Sequence, residues 1–225
     1  MTDDPKPFHI VFLLFDGITQ LDFTGPAQVL SRIPGAVVHT AAREIKPVQT
    51  DSGFAILPSA RFGDCPPADL LCVPGGFGIR EVIRDDMTLQ FLRNQAGAAR
   101  YVTSVCTGAL ALGAAGLLQD KRATTHWAYT GLLEKFGATY EKARVVQDGR
   151  LITAGGVTAG IDFALTVTAE IAGQQLAESI QLSLEYDPHP PFHSGHPDVA
   201  DPELVAQLQQ QVYAKAVRRL ADSIG

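Results

Sequence analysis

Tyr101-Val102-Thr103-Ser104-Val105-Cys106-Thr107-Gly108-Ala109-Leu110-Ala111-Leu112 is the stretch that decides the fold. Its first five residues are rich in β-branched and aromatic side chains and read as a strand, whereas the Ala/Leu run from Gly108 onward reads as a helix. A strand that runs straight into a helix needs a sharp turn, and the turn falls on Cys106. Ser104, two residues before, and Gly108, two residues after, are small enough to let the chain turn without a clash. This is the layout of a nucleophile elbow, with cysteine in the serine position and Ser104 in place of the first glycine. At a helix N-terminus the unpaired N–H groups and the helix dipole favour thiolate and are expected to lower the thiol pKa. The plain alternative is that Cys106 is a buried small hydrophobe, the usual fate of a free cysteine. The strand-to-helix position favours the reactive reading.

Outward from the elbow, strands and helices alternate. Residues 9–15 form an unbroken apolar run that ends at Asp16-Gly17, as expected of a central strand covered on both faces. A second such run, residues 70–74, closes on Gly75-Gly76-Phe77-Gly78, and residues 79–97 then read as helix with a break near Asp85-Asp86. Between them, a helix is predicted from about Leu21 to Ile33, a strand over 36–41, and a hairpin over 48–57. After the elbow come a short strand at 122–125, a helix over 126–136, and a hairpin around Asp148-Gly149. A buried, nearly all-apolar helix is predicted over 157–173, and a further helix over 176–184. A Pro- and His-rich loop over 186–202 leads to an amphipathic helix over 203–223. The pattern predicts an open α/β sandwich around a parallel sheet, with sites at the carboxyl ends of the strands. Both Gly75-Gly76 and Cys106 fall at such ends.

Composition agrees with one domain. The 225 residues are 46% hydrophobic and 19% charged, and no linker-like stretch divides them. A single domain over 1–225 is expected, with its core at about 8–184 and a C-terminal loop and helix at 185–225. Eighteen Lys and Arg against 24 Asp and Glu give a net charge of −6, which argues against nucleic acid and anionic lipid as partners. The first residues are acidic where a signal peptide is basic, and the run from Ile10 to Phe15 is too short to span a bilayer, so a cytoplasmic protein is expected. Three cysteines, Cys65, Cys72 and Cys106, cannot all pair internally, and none stands in a Cys-x-x-Cys spacing. No phosphate-loop or dinucleotide fingerprint follows the glycine turns, so no cofactor is expected.

Two further features bear on chemistry. Gly75-Gly76 either offers backbone N–H groups to a developing anion or is an ordinary tight turn. Asp22 either caps the first helix or faces the thiolate; facing it, burial and like charge would raise its pKa and keep a proton on it, making it an acid.

Four motifs in order, Leu21-Asp22-Phe23-Thr24-Gly25-Pro26, Val73-Pro74-Gly75-Gly76, Thr103-Ser104-Val105-Cys106-Thr107-Gly108 and Ala123-Thr124-Thr125-His126-Trp127, resemble those of the ThiJ/PfpI superfamily over about residues 8–184. Asp22 where many members have Glu, together with the stretches from Gly155 to Asp162 and from Glu185 to Pro188, is most similar to the isocyanide hydratases of that superfamily. The resemblance implies a flavodoxin-like sheet, a homodimer, and hydration of a small isocyanide to an N-substituted formamide through a covalent thioimidate, with no metal. It also implies Cys106 as nucleophile, Asp22 as proton manager, and Thr107 and Gly76 beside the sulfur positioning substrate or water. Val157 is expected in a helix packed near the nucleophile.

His126 follows the cysteine by about twenty residues, as in the peptidase-like members, and a Cys–His pair would point to hydrolysis. Trp127 after it departs from those members, which favours a helix-start or pocket-wall role. His189, His193 and His196 lie in a Pro-rich loop with no fixed face and read as a pocket rim or subunit contact, with no metal expected. The competing readings are a ligand-sensing domain, as in related regulators that fuse such a domain to a DNA-binding unit, which is not expected here since one substantial helix follows the domain, and a redox or carbonyl-stress thiol protein. Loss of activity on replacing Asp22 separates proton-dependent hydration from simple thiol oxidation.

Overall fold

The computed structural model describes residues 6–224; the acidic stretch read over residues 1–5 lies outside them. In β1 (Phe8–Leu13) the two-residue period puts Ile10 and Phe12 on one face and Val11 and Leu13 on the other. All four are fully buried, each pair in a different core cluster. That is why the stretch reads as continuous rather than alternating hydrophobicity.

Along the chain follow α1 (Gln20–Leu30), β2 (Ala36–Ala42), β3 (Val48–Gln49), β4 (Ala55–Ile56), β5 (Ala60–Arg61), β6 (Leu70–Val73), α2 (Ile79–Val82), α3 (Asp86–Ala98), β7 (Tyr101–Val105) and α4 (Gly108–Ala114). Then come β8 (Arg122–Ala123), β9 (Thr139–Tyr140), β10 (Val145–Asp148), β11 (Leu151–Ala154), α5 (Ala159–Ala172), α6 (Gln174–Ser183), α7 (Pro202–Leu208) and α8 (Ala214–Ile224). Seven strands form one sheet in the order β10-β11-β7-β6-β1-β2-β5, parallel throughout except for β10 against β11. Side chains from α1, α5 and α6 fill one face; α2, α3, α4 and α8 fill the other. The predicted open α/β sandwich is therefore the observed architecture. Among the described residues no helix is long and apolar enough to cross a membrane.

Strand register places the site. Val73 pairs with Ser104, and Val105 with Ala154, so Pro74, Cys106 and Gly155 emerge side by side at the carboxyl edge of the sheet. The hairpins at β3–β4 and β10–β11 and the break before α3, capped by Asp85 accepting from the Thr88 N–H, match the expectations.

Three elements differ. Residues 126–136 form two 3₁₀ segments, Trp127–Leu132 and Glu134–Phe136, in place of the predicted α-helix. Gly131 weakens the first, and Gly137 at φ 72° ends the second in a left-handed turn. Helix α5 starts at Ala159, so Val157 lies in the turn before it, and Thr166 and Glu170 are exposed: the helix is buried on one face only. The C-terminal helix begins at Pro202 and is capped by Asp201, whose carboxylate accepts from the Glu203 and Leu204 N–H groups, but a π turn at Gln209–Tyr213 separates α7 from α8. The wider turn changes the helical phase, and α8 then sinks Leu220 into the same core as the sheet.

Candidate active site

Cys106 holds φ 58°, a left-handed conformation that costs an L-residue about 1–3 kcal/mol and persists only where its surroundings impose it. They do. Its N–H is shared between the Ala154 and Gly155 carbonyls at 3.0 and 3.1 Å, and its own carbonyl accepts from Thr125 Oγ1 at 2.7 Å. Gly108 makes the turn feasible, because a Cβ there would lie 1.9 Å from the Val73 carbonyl oxygen. Gly108→Ala is therefore expected to push the elbow away from β6 and to destabilise the fold by about 2 kcal/mol or more, measurable by urea unfolding.

Asp22 is on the third residue of α1, completely buried. The helix-cap reading fails: Thr19 occupies the cap, and Asp22 Oδ2 instead accepts from the Gly75 N–H at 3.0 Å. Its Oδ1 has no hydrogen-bond partner among the described residues, and the carboxyl faces the Cys106 thiol. Three segments converge at Gly75, where a Cβ would fall 2.6 Å from Thr107 N and Oγ1 and 2.9 Å from Asp22 Oδ2. The next N–H, of Gly76, donates to Thr107 Oγ1 at 3.0 Å. Both N–H groups are already engaged, one holding Asp22 and the other holding Thr107.

Burial pushes the Asp22 carboxyl up to about 7, the Cys106 thiol and the Gly75 N–H pulling the other way. Burial, and then the neighbouring Asp22 charge, push the Cys106 thiol well above its ordinary value, opposed by the Thr107 N–H. The expected lowering of the thiol pKa is corrected as well: α4 is only seven residues long, and its terminus does not outweigh burial beside a carboxylate. Two acidic groups this close titrate as a unit. Above about pH 7 the pair holds a single proton, on sulfur or on carboxylate.

His126 stands at the start of its 3₁₀ segment, Nδ1 accepting from the Ala128 N–H at 3.3 Å. Burial lowers its pKa to about 4, so it is neutral. It packs on Gly156, where a Cβ would meet its ring at 2.2 Å, and against Trp127, Tyr129 and Tyr213. This is the helix-start position, and no hydrogen bond among the described residues ties the imidazole to Cys106. Val157 packs on the cluster that contains Cys106. In the 186–202 loop, His196 lies 3.2 Å from Asp198 at a partly open surface.

Two residues that the sequence reading passed over lie near the sulfur. Burial first, and then the neighbouring Cys106, raise the pKa of both Tyr129 and Tyr213, the latter on the π turn of the C-terminal helix, and the two phenol rings pack together with His126. For Tyr129 the signal was its position three residues after His126; for Tyr213 no spacing could have revealed it.

The sequence model of the DJ-1/PfpI family matches residues 8–170. The chain belongs to the DJ-1/PfpI family. An isonitrile hydratase of Pseudomonas putida is 53% identical over 203 residues, spanning 90% of this chain and 89% of that protein. The transcriptional regulator GbdR of Pseudomonas aeruginosa is 30% identical over 191 residues, 81% of this chain but 52% of the regulator. Among solved structures, a ThiJ/PfpI family protein from Pseudomonas syringae superposes with a TM-score of 0.95 at 39% identity, covering 100% of this chain and 94% of that one. The four motifs quoted at the start thus carried the family correctly, and the flavodoxin-like arrangement of the DJ-1/PfpI fold is the one described above.

Proposed function

We propose that the chain is a hydro-lyase that converts isocyanides, R–N≡C, into N-substituted formamides, with Cys106 as nucleophile and Asp22 as proton carrier. The observation that carries this reading is the 53% identity to an isonitrile hydratase over nine-tenths of both chains. The site supplies the parts the reaction needs. A neutral isocyanide requires a nucleophile at its terminal carbon and a proton at that same carbon, and Cys106 and Asp22 offer one of each.

The thiol proton passes to Asp22 as sulfur attacks, and the C–S bond forms. Asp22 returns the proton to carbon, leaving a thioimidate, R–N=CH–S–Cys106. Water then adds, hydroxyl to carbon and proton to nitrogen. The tetrahedral species collapses as the C–S bond breaks and the hydroxyl proton returns to the pair, releasing R–NH–CHO with Cys106 restored. Splitting one hard addition into two easier steps is the gain of covalent catalysis. The Thr107 N–H steadies charge on sulfur, and the Thr107 hydroxyl, tied to Gly76 at 3.0 Å, fixes the wall on which substrate rests.

The same reading takes residues 1–225 as one domain, supported by Leu220 of α8 in the sheet's own core. It takes the protein as a cytoplasmic homodimer; three free thiols support a reducing compartment, and the family resemblance supports the dimer. The sensing alternative has weaker support, since the regulator is 30% identical and only 52% of it is matched. Ultraviolet detection of formamide from a panel of simple aryl and alkyl isocyanides tests the proposal. Turnover is expected; inertness toward the whole panel would move the assignment to a sensing or redox thiol protein.

A further inference from the structure

A cavity of about 220 Å³ reaches toward the Cys106 site through Gly76, whose N–H donates to the Thr107 hydroxyl. Gly76, Tyr129, Phe77 and the apolar Ile79, Ala216 and Leu220 line it together with three charged side chains, Arg80, Glu81 and Arg219. Gly76 is the residue clasped by Thr107, next to the sulfur. The Tyr129 side chain is buried and packs edge-on against His126. The volume is below the roughly 300 Å³ at which pockets for drug-sized ligands begin, so its occupant is small.

The charge of this cavity stands out against a chain that carries −6 overall. Arg80 spends Nη1 on Glu81 at 2.8 Å, but its Nε is buried and has no partner. Arg219, on the exposed side of α8, meets no carboxylate within ion-pair distance among the described residues. A buried guanidinium N–H left without an acceptor is unfavourable, and a carboxylate fits such donors in a two-point arrangement. Glu81 leaves the three side chains with one net positive charge, which suits a monoanion and opposes a doubly charged phosphate.

We infer that this cavity receives a short carboxylate-bearing substituent of the isocyanide, with Arg80 and Arg219 as its receptors and Tyr129 at the junction with the reacting carbon. The inference rests on the hydratase reading and names its substrate class: small isocyano acids, rather than purely apolar isocyanides.

Potassium isocyanoacetate and methyl isocyanoacetate make the test, since they present the same isocyanide group with and without the negative charge. For the native protein kcat/KM is expected to favour the acid by about tenfold at low salt. Raising sodium chloride to about 0.5 M should shrink that ratio, which tests the charge without any substitution. In Arg219→Met the ratio should fall to about two or three, and in Arg80→Met/Arg219→Met to about one. Arg219 is exposed, so its single variant decides the matter if the double variant does not fold. Turnover of both compounds with an acid-to-ester ratio at or below one, or a ratio untouched by Arg219→Met and by salt, overturns the inference and leaves the hydratase reading standing. Turnover of neither compound, together with inertness toward neutral aryl isocyanides, overturns both.

Discussion

Asp22→Asn is expected to lower the hydration rate by about 10²- to 10⁴-fold, the usual contribution of a positioned acid or base, while making the folded protein more stable at pH 8. The first effect follows because the amide cannot take the thiol proton or hand it to carbon. Asn keeps the acceptor for the Gly75 N–H, now 3.0 Å from Asp22 Oδ2, so the wall itself should survive. The second effect follows from proton linkage. The folded chain keeps the Asp22 proton up to about pH 7, whereas the unfolded chain releases it near 3.8. Between those values the unfolded state binds fewer protons, so stability falls as pH rises and the loss is complete above about 7. At full extent the cost is on the order of a few kcal/mol. Thermal melts at pH 4 and pH 8 should show the variant gaining at the higher pH and little at the lower. A variant that is both fully active and no more stable at pH 8 would contradict the role and the buried charge together.

Cys106→Ala is expected to abolish turnover, by about 10⁴-fold or more, because no other side chain can form the covalent intermediate. The other two thiols are no substitutes. Cys72 is buried within β6 and pushed up to about 12, and Cys65, half-buried in a loop away from the sheet edge, to about 11. Cys106→Ser should rescue little, since an alcohol in this buried place lacks the thiol's acidity. The substitution leaves the turn intact: the N–H to Ala154 and Gly155 and the carbonyl to Thr125 are backbone contacts. Initial rates of formamide release, with circular dichroism to verify folding, check the prediction. Residual turnover within tenfold of the native rate would remove Cys106 from the chemistry.

What the sequence made legible, and what it did not, follows from the range over which each feature is decided. Strands buried on both faces appear as continuous apolar runs, so β1, β6 and β7 could be read directly. The elbow was legible because a strand, a small-residue turn and a helix succeed each other within a dozen positions. Asp22 was recognisable as a candidate, but whether it capped a helix or faced the sulfur depended on Gly75, which lies 53 residues away. The direction of the Gly75 and Gly76 N–H groups, one to Asp22 and one to Thr107, is a three-dimensional fact, so the sequence left two readings of that turn open. The thiol pKa was misjudged for a similar reason: helix position is local, whereas burial against Asp22 is not. Tyr213 reaches the site only because a π turn rephases the last helix, and a polar stretch of three glutamines before it carries no sign of that turn.

The pH dependence of kcat/KM for one neutral aryl isocyanide, in the native protein and in Asp22→Asn, tests most directly the claim that Cys106 and Asp22 work through one shared proton. The native rate should rise through an inflection near 7, where the pair loses its first proton and sulfur can become nucleophilic, and the variant should lose that inflection. A native profile that is flat from about pH 5.5 to 8.5, or an inflection that persists unchanged without the Asp22 carboxyl, would contradict the account.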